Sequence, residues 1–186
     1  MQALRRRWSE AGSLVCVGLD PEPAKFPSRF SSDPDAVFAF CRDIADATAE
    51  YACAFKPQIA HFAALGEEGA LERVIAHIHA NHPGIPVILD SKRGDIGSTA
   101  QHYATEAFDR YAADAVTANP YLGRDSVQPF LDRADRIELT EVHADYAGDT
   151  HISALDSEMW REIEREDHPA EGDRPAYSFV TLERAA

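Results

Sequence analysis

The chain has 186 residues, of which 45% are hydrophobic and 27% are charged, and these proportions are typical of a soluble globular domain with a substantial core. Its formal net charge of -14 argues against a nucleic-acid-binding or anionic-membrane-binding surface, because the summed field repels phosphate. The N-terminus does not resemble a signal peptide, no apolar run approaches the roughly 20 residues of a membrane span, and three cysteines indicate no disulfide framework, so we expect a cytoplasmic protein.

The first two thirds of the chain alternate short apolar runs with longer helical patterns. The predicted strands lie at 13–20, 51–58, 86–92 and 113–120, and the predicted helices lie at 34–50, 68–81, 97–111 and from about 125. Strands that are apolar almost throughout are typical of parallel sheets covered on both faces. The order therefore predicts an α/β fold with four βα units.

Polar side chains stand at the carboxyl ends of these predicted strands. They are Asp20, Lys56, Asp90, Lys92 and Asn119. Parallel α/β enzymes place their chemistry at this edge of the sheet. The sequence therefore predicts an active site there.

The character of the chain changes at residue 133. The last 54 residues contain 14 Asp and Glu against six Arg, and they contain no Lys. A helix is predicted at 156–166, with Ser153 or Asp156 as its N-cap, and a strand is predicted at 176–182. Residues 137–148 resemble a fifth strand only weakly, and no second βα series is visible.

Lysine is scarce, and its placement is informative. The three copies are Lys25, Lys56 and Lys92, against fifteen arginines. Two of the three stand beside carboxylates at predicted strand ends. An arginine would carry the same charge but could not release a proton near neutral pH, whereas a lysine can, so this pattern favours proton-transfer chemistry.

The segment 90–95 has the form DxKxxD. The two-residue period of a strand puts Asp90 and Lys92 on one face, and Asp95 lies on the following loop. Two carboxylates beside one ammonium disfavour a third negative charge, so the site suits expulsion of a carboxylate and protonation of the carbanion left behind. The alternative interpretation is a solvated loop with surface ion pairs.

No metal site is predicted. His77, His79 and His82 are close in sequence, but their spacing is not the i, i+4 pair that one helical face presents to an ion. The chain also contains neither a GxGxxG fingerprint nor a P-loop, the glycine-rich motifs of dinucleotide and nucleotide sites.

Four blocks of this sequence resemble the orotidine 5'-phosphate decarboxylase family. The blocks are VCVGLDPEPAKFP at 15–27, AFKPQIAHFAALGEEG at 54–69, LDSKRGDIGSTAQHYA at 89–104 and DAVTANPYLGRDSVQPFLD at 114–132. They occur in the family's order and spacing, in the subgroup with a KRGDIGNTA-like signature, and the resemblance covers about residues 4–132.

The resemblance implies a (β/α)8 barrel of the TIM type, of which this chain has only the first four βα units. Residues 1–132 would be the N-terminal half of the barrel, and residues 133–186 would be a divergent acidic tail of unknown role. The family is implied to act as a homodimer, without metal or organic cofactor, on orotidine 5'-monophosphate, releasing CO2 and uridine 5'-monophosphate for pyrimidine biosynthesis.

The resemblance also implies roles for individual residues. Lys92 would protonate C6 of the substrate, and Asp90 would press on its carboxylate. Lys56 would join the charge network and contact the ribose, and Asp20 would bind a ribose hydroxyl. The residues donated across the dimer interface would be Asp95, Ile96 and Thr99.

The tail departs from the family's pattern. None of its candidate arginines can be assigned the family's phosphate-binding role; these are Arg161, Arg165, Arg174 and Arg184. A barrel of this kind needs about 250 residues, so the tail either is unrelated sequence, as after a frameshift, or caps a half-barrel. Two other functions stay open: an inactive remnant of a decarboxylase, and another phosphosugar lyase of the same superfamily.

Overall fold

The computed structural model describes residues 2–30, 32–148, 150–152 and 154–185, so the possible cap Ser153 lies outside the described residues. The chain forms two compact units. The first comprises Met1–Arg93 and His102–Ala118, and the second comprises Gly94–Gln101 and Asn119–Ala186. None of the described helices has the length and apolar character needed to cross a lipid bilayer.

The first unit contains four parallel strands and the helices between them. The strands are β1 (Val15–Leu19), β2 (Ala52–Pro57), β3 (Ile88–Arg93) and β4 (Ala115–Ala118). The helices are α1 (Gln2–Ala11), α2 (Ala36–Thr48), α3 (Ile59–Leu65) and α4 (Glu68–Asn81). Helix α5 (Gly97–Thr105) belongs to the second unit up to Gln101 and to the first unit from His102, and it continues as a π-helix over Glu106–Arg110. Short 3-10 turns lie at Pro23–Lys25 and Ser28–Phe30.

The strand order follows the chain. β1 pairs with β2 and β3 pairs with β4, both in parallel. The parallel bridges Phe55 to Val87 and Gln58 to Asp90 join β2 to β3. The predicted strands and the helices between them are therefore confirmed, whereas α1 and α3 had no counterpart in the sequence-based assignment.

Helix α4 shows why the sequence folds as it does in this unit. Its apolar residues Leu71, Val74, Ile75 and Ile78 recur at spacings of three and four, and all of them are buried. They pack in the same core as Phe55 of β2 and Leu89 of β3. This packing fixes the position of the carboxyl ends of β2 and β3 relative to each other.

The second unit contains α6 (Arg124–Leu131) and the strands β5 (Arg136–Val142), β6 (Trp160–His168) and β7 (Tyr177–Arg184). These strands form an antiparallel sheet in the order β5, β7, β6. Val180 of the central strand is buried, as is Trp160, over which the Arg184 guanidinium lies 4.7 Å from the ring centroid. The strand predicted at 176–182 is confirmed as β7. The segment 137–148, which resembles a fifth strand only weakly, contributes its first residues to β5, which is antiparallel to β7.

The helix predicted at 156–166 is wrong, because most of that segment is strand β6. Its glutamates and arginines are good helix formers, but pairing with β7 along Trp160–His168 supplies the backbone hydrogen bonds instead. Ile163 lies at a register shift between Glu162 and Glu164 and is 39% exposed. A bulge therefore breaks the alternation that would have marked this strand in the sequence.

Candidate active site

Three charged side chains of the first unit meet at the ends of β2 and β3. Asp90 of β3 is 4% exposed. Its Oδ2 accepts a hydrogen bond from Lys56 Nζ at 2.9 Å, and its Oδ1 accepts one from Lys92 Nζ at 2.5 Å. A buried carboxylate thus lies between two ammonium groups.

Strand pairing brings these groups together. Gln58, which follows β2, forms a parallel bridge with Asp90. Lys56 lies two residues before Gln58, and the two-residue period of a strand puts both side chains on the same face. The Lys56 and Lys92 side chains are 36% and 63% exposed. The carboxylate is therefore shielded by protein, while both ammonium groups remain open to a ligand from solvent.

Thr117 of β4 provides a third hydrogen bond to the Asp90 carboxylate. Its hydroxyl donates to Asp90 Oδ1 at 2.9 Å and accepts hydrogen bonds from the backbone N–H groups of Ser91 and Lys92, each at 3.0 Å. The Ser91 hydroxyl in turn donates to the Thr117 carbonyl at 2.9 Å. Sequence reasoning missed Thr117, although a hydroxyl in an otherwise apolar strand was a visible signal.

Thr117 lies where the ladder between β3 and β4 is irregular. The register passes from Leu89 opposite Val116 to Arg93 opposite Ala118, so the segment carrying Asp90 and Lys92 bulges. Lys92 has φ of 48°, a left-handed conformation that is unfavourable for a residue with a side chain. Bulges and strained residues of this kind re-aim side chains at functional sites.

The charges of the cluster shift its ionisation. Burial alone would raise the pKa of Asp90, but hydrogen bonds from Lys92, Lys56 and Thr117 outweigh it and hold the pKa at about 2. The hydrogen bond to Asp90 raises the pKa of Lys56 against the effect of burial, and the charge of Asp20 adds to this rise. The aspartate is therefore ionised and Lys56 protonated across the physiological range.

Asp20 follows β1 and is exposed. It contributes to the field at Lys56 but has no direct bond to that lysine among the described contacts. The strand-end carboxylate predicted from the sequence is thus electrostatically linked to Lys56 and exposed to solvent.

The other predicted site residues lie on the segment Gly94–Gln101, which belongs to the second unit. Asp95 Oδ1 accepts a hydrogen bond from the Ile96 N–H at 2.7 Å, and the Ile96 side chain is 60% exposed. Thr99 is half-buried in α5. The convergence of Asp95 with Asp90 on one lysine stays a prediction.

Gly94 and Asn119 approach closely within the second unit. A Cβ atom at Gly94 would lie 2.2 Å from the carbonyl oxygen of Asn119, so this position requires glycine. Asn119 Oδ1 accepts from the Tyr121 N–H at 3.2 Å, which closes a turn after β4. The asparagine therefore shapes the loop.

Three of the tail's arginines are committed to other contacts within the second unit. Arg165 pairs with Glu141 and Glu162, each at 2.8 Å. Arg174 pairs with Glu171 at 2.9 Å. Arg184 donates to the Ala134 and Leu131 carbonyls at 3.0 and 2.6 Å. These contacts agree with the failure to assign a phosphate-binding arginine in the tail.

The sequence is similar to known orotidine 5'-phosphate decarboxylases over most of its length. The model of the "Orotidine 5'-phosphate decarboxylase / HUMPS family" matches residues 13–170. The orotidine 5'-phosphate decarboxylase of Azoarcus sp. strain BH72 is 56% identical over 156 residues, which cover 84% of this chain and 58% of the relative. That of Dechloromonas aromatica is 52% identical over 179 residues, covering 96% of this chain and 66% of the relative.

Solved structures show the same likeness. The putative orotidine-monophosphate decarboxylase of Toxoplasma gondii superposes with a TM-score of 0.64 at 46% identity, over 71% of this chain and 44% of that one. The Leishmania donovani OMP decarboxylase gives a TM-score of 0.58 at 42% identity, over 70% of this chain and 48% of that one. The predicted fold class, a TIM-barrel type represented by its first four βα units, is confirmed, and the chain spans about three fifths of the length of the first curated relatives.

Proposed function

This chain belongs to the orotidine 5'-phosphate decarboxylase / HUMPS family, and from that premise we propose that it decarboxylates orotidine 5'-monophosphate to uridine 5'-monophosphate in pyrimidine biosynthesis. The observation that carries the proposal is the contact of Asp90 with both Lys56 and Lys92 at the strand ends. The chain spans 58% of the length of its Azoarcus relative, and we propose that a chain of this length is itself active.

The cluster suits this reaction electrostatically. The Asp90 carboxylate is ionised and nearly inaccessible to water, so a substrate carboxylate placed beside it is repelled. Loss of that carboxylate as neutral CO2 relieves the repulsion, and the negative charge moves onto a ring carbon beside the Lys92 ammonium. Preorganised charges of this kind lower a barrier because they do not reorganise during the reaction.

The proposed step balances with protein side chains alone. The bond between C6 and the carboxylate carbon breaks, and its electron pair stays on C6 as CO2 leaves. Lys92 Nζ then delivers a proton to C6, and the neutral amine recovers a proton from solvent. Asp90 keeps Lys92 in place throughout, since their atoms are already 2.5 Å apart. Neither a metal ion nor an organic cofactor enters this balance.

The remaining site residues have proposed roles in binding. Lys56 contacts the ribose while keeping Asp90 ionised, and Asp20 binds a ribose hydroxyl. In a homodimer, the segment after β3, which includes the start of α5, would complete the partner's site with Asp95, Ile96 and Thr99. The exposed Ile96 side chain supports this assignment, since a residue donated to another subunit must project from its own. We propose a cytoplasmic location for the protein.

The direct test follows the loss of orotidine 5'-monophosphate absorbance with the purified 186-residue chain. Lys92→Ala should lower turnover by at least about 10²-fold, the usual contribution of a positioned proton donor. Lys25→Ala is the matched control, because Lys25 pairs with Glu22 outside the cluster and is itself highly exposed. Equal turnover in the Lys92→Ala and Lys25→Ala proteins would overturn the proposal.

An inactive remnant is the second candidate, favoured by the short span of the chain and by the commitment of Arg165, Arg174 and Arg184 to other contacts. It predicts a folded wild-type chain without turnover. Circular dichroism and size-exclusion chromatography on the same preparation separate this outcome from simple misfolding. Turnover of a different phosphosugar, with none of orotidine 5'-monophosphate, would favour the other lyases of the superfamily.

A further inference from the structure

A second cluster of ionisable side chains lies on the helical layer of the first unit. It consists of Asp46 on α2, His77 near the C-terminal end of α4, and His82, which follows the end of α4. Asp46 Oδ1 lies 2.6 Å from His77 Nε2 and 2.7 Å from His82 Nε2. None of these residues belongs to the Lys56, Asp90 and Lys92 cluster.

The two imidazoles are brought together by the end of the helix. In a continuous α-helix, positions five apart would diverge around the axis, but His82 has left the helix with φ of -127° and ψ of 55°. This turn directs its ring toward His77, and the ring centroids are 5.8 Å apart. The spacing that argued against a metal site in the sequence is thus compensated by the helix C-terminus.

The potential ligand atoms converge without rearrangement of the backbone. Among the described residues, Asp46, His77 and His82 are the one set of three metal-ligating residue types that the structure brings together, and their ligand atoms all lie within 4.8 Å of one another. A zinc ion with bonds of about 2.0–2.1 Å separates tetrahedral ligand atoms by roughly 3.3 Å. Small side-chain rotations of an exposed aspartate and two half-buried histidines cover that difference.

We propose that Asp46, His77 and His82 form a binding site for one divalent transition-metal ion of the Zn²⁺ class. Two imidazole nitrogens and one carboxylate oxygen are a donor set suited to such ions, and a water molecule would take the fourth position. The metal would replace the Nε2 protons that now face Asp46. It would tie helix α2 to the end of α4.

The outer contacts support the orientation of His77. Asn81 lies 3.1 Å from His77 Nδ1 through its amide group and donates to the His77 carbonyl at 3.0 Å. Both contacts are made by the same atom, Asn81 Nδ2, so Nδ1 of His77 is now the acceptor and Nε2 carries the proton that faces Asp46. With a metal ion on Nε2, Nδ1 would carry the proton and the Asn81 amide nitrogen would move off it, leaving that N–H to solvent.

The surrounding charges favour a cation. The site lies at the C-terminal end of the 14-residue helix α4, where the partial charge of the carbonyls is negative. Arg42 lies close enough to interact with Asp46, but its guanidinium is paired with Asp43 at 2.7 Å. The overall charge of -14 further raises the local concentration of cations.

The test is equilibrium dialysis of the full chain against ZnCl2, together with the visible spectrum of the Co²⁺-loaded protein. The wild type should bind one Zn²⁺ per chain and show the intense d–d bands of tetrahedral Co²⁺. Asp46→Ala, His77→Gln and His82→Gln should each weaken binding at least about tenfold and remove the bands.

His79→Gln is the matched control. His79 lies on the same helix and also meets a carboxylate, Asp114 at 3.0 Å, but it is outside the cluster. This variant should bind Zn²⁺ like the wild type, and circular dichroism should show that all variants are folded. Absence of stoichiometric binding to the wild type, or equal binding by the His79→Gln and His82→Gln proteins, would overturn the proposal. Neither result bears on decarboxylation, which is assayed separately.

Discussion

The hydroxyl of Thr117 and the carboxylate of Asp90 are joined by a 2.9 Å hydrogen bond between β4 and β3. The same hydroxyl oxygen accepts the N–H groups of Ser91 and Lys92, which have left the regular ladder between these strands. One side chain therefore both satisfies the backbone of the bulge and holds the carboxylate. The position of Asp90, and through it that of Lys92, depends on this threonine.

Replacing Thr117 by valine tests that dependence, because valine keeps the shape but has no hydroxyl. Two backbone donors lose their acceptor and Asp90 loses a donor, so we expect a loss of roughly 1–3 kcal/mol in the free energy of unfolding. The pKa of Asp90 should rise, as one of the hydrogen bonds that lower it is gone. Urea denaturation and carboxyl NMR titration measure these two changes.

Thr117→Ser is the control for that experiment, since it retains the hydroxyl. It should keep the wild-type pKa of Asp90 even if it loses some stability through the missing methyl group. If the proposed function holds, Thr117→Val should lower kcat by about 10²-fold with a smaller change in KM, as expected when a reacting group is displaced. A pKa of Asp90 that is equal in the Val and Ser proteins would contradict the role assigned to Thr117.

Lys92→Arg separates charge from proton delivery. Arginine preserves the positive charge beside Asp90, so the folded state should be retained, but its guanidinium does not release a proton near neutral pH. We expect turnover to fall by at least about 10²-fold, as for loss of a general acid. Steady-state kinetics at pH 7 provide the measurement, and wild-type kcat in the arginine variant would mean that Lys92 acts only through its charge.

Asp90 should make stability depend on acid pH. Its pKa of about 2 in the folded state lies below the ordinary value near 4, so the ionised form stabilises the fold by about 2 kcal/mol above pH 5. This contribution is lost as the pH falls from about 5 through 2, and about half is gone at pH 3. The stability difference between wild type and Asp90→Asn, measured with urea at pH 6 and pH 3, should shrink accordingly.

The pKa of Lys56, the basic partner of Asp90, is shifted in the opposite direction, so its effect on the pH dependence of stability is also opposite. The hydrogen bond to Asp90 raises the pKa of Lys56 above its ordinary value near 10.4. The contribution of Lys56 to stability is therefore present below that value and is lost as the pH rises further.

For the acid-pH prediction, the contradicting result is a difference in unfolding free energy between wild type and Asp90→Asn that stays constant from pH 3 to pH 6. It would show that the carboxylate is not held ionised by its partners.

Gly94→Ala should disturb the segment that carries Asp95. The new methyl group would meet the Asn119 backbone, which cannot rotate away as a side chain could, so we expect a loss of roughly 1–3 kcal/mol. Gly69→Ala is the control, because Gly69 is in helix α4 with no atom within 4 Å of the added Cβ, and alanine should stabilise the chain by up to about 1 kcal/mol. Thermal unfolding of the two variants should shift in opposite directions.

Much of the first unit could be predicted from local patterns. The apolar run before Asp90 indicated a buried strand, and the spacing of Leu71, Val74 and Ile78 indicated helix α4. The short helix α3 escaped notice because it has only seven residues, too few for a clear period. The strand ends that carry Lys56 and Asp90 followed from the same patterns, so the central ion pair was foreseeable.

The contacts around that ion pair depended on tertiary structure. Thr117 is 27 residues from Asp90, and its role arises from a bulge whose register no local pattern specifies. The meeting of His77 and His82 likewise depends on how the chain leaves α4, which the helical period does not describe.

The tail shows the same division between local and long-range information. Its residues 160–168 favour a helix by composition, yet they pair with β7, and Ile163 at the bulge hides the strand period. By itself, the sequence determined the βα order, the strand-end charges and the family, because these depend on local periodicity and on the identity of residues in a motif. Only the tertiary structure decided the shape of the tail and the hydrogen bonds around Asp90, because both depend on pairing between strands that are distant along the chain.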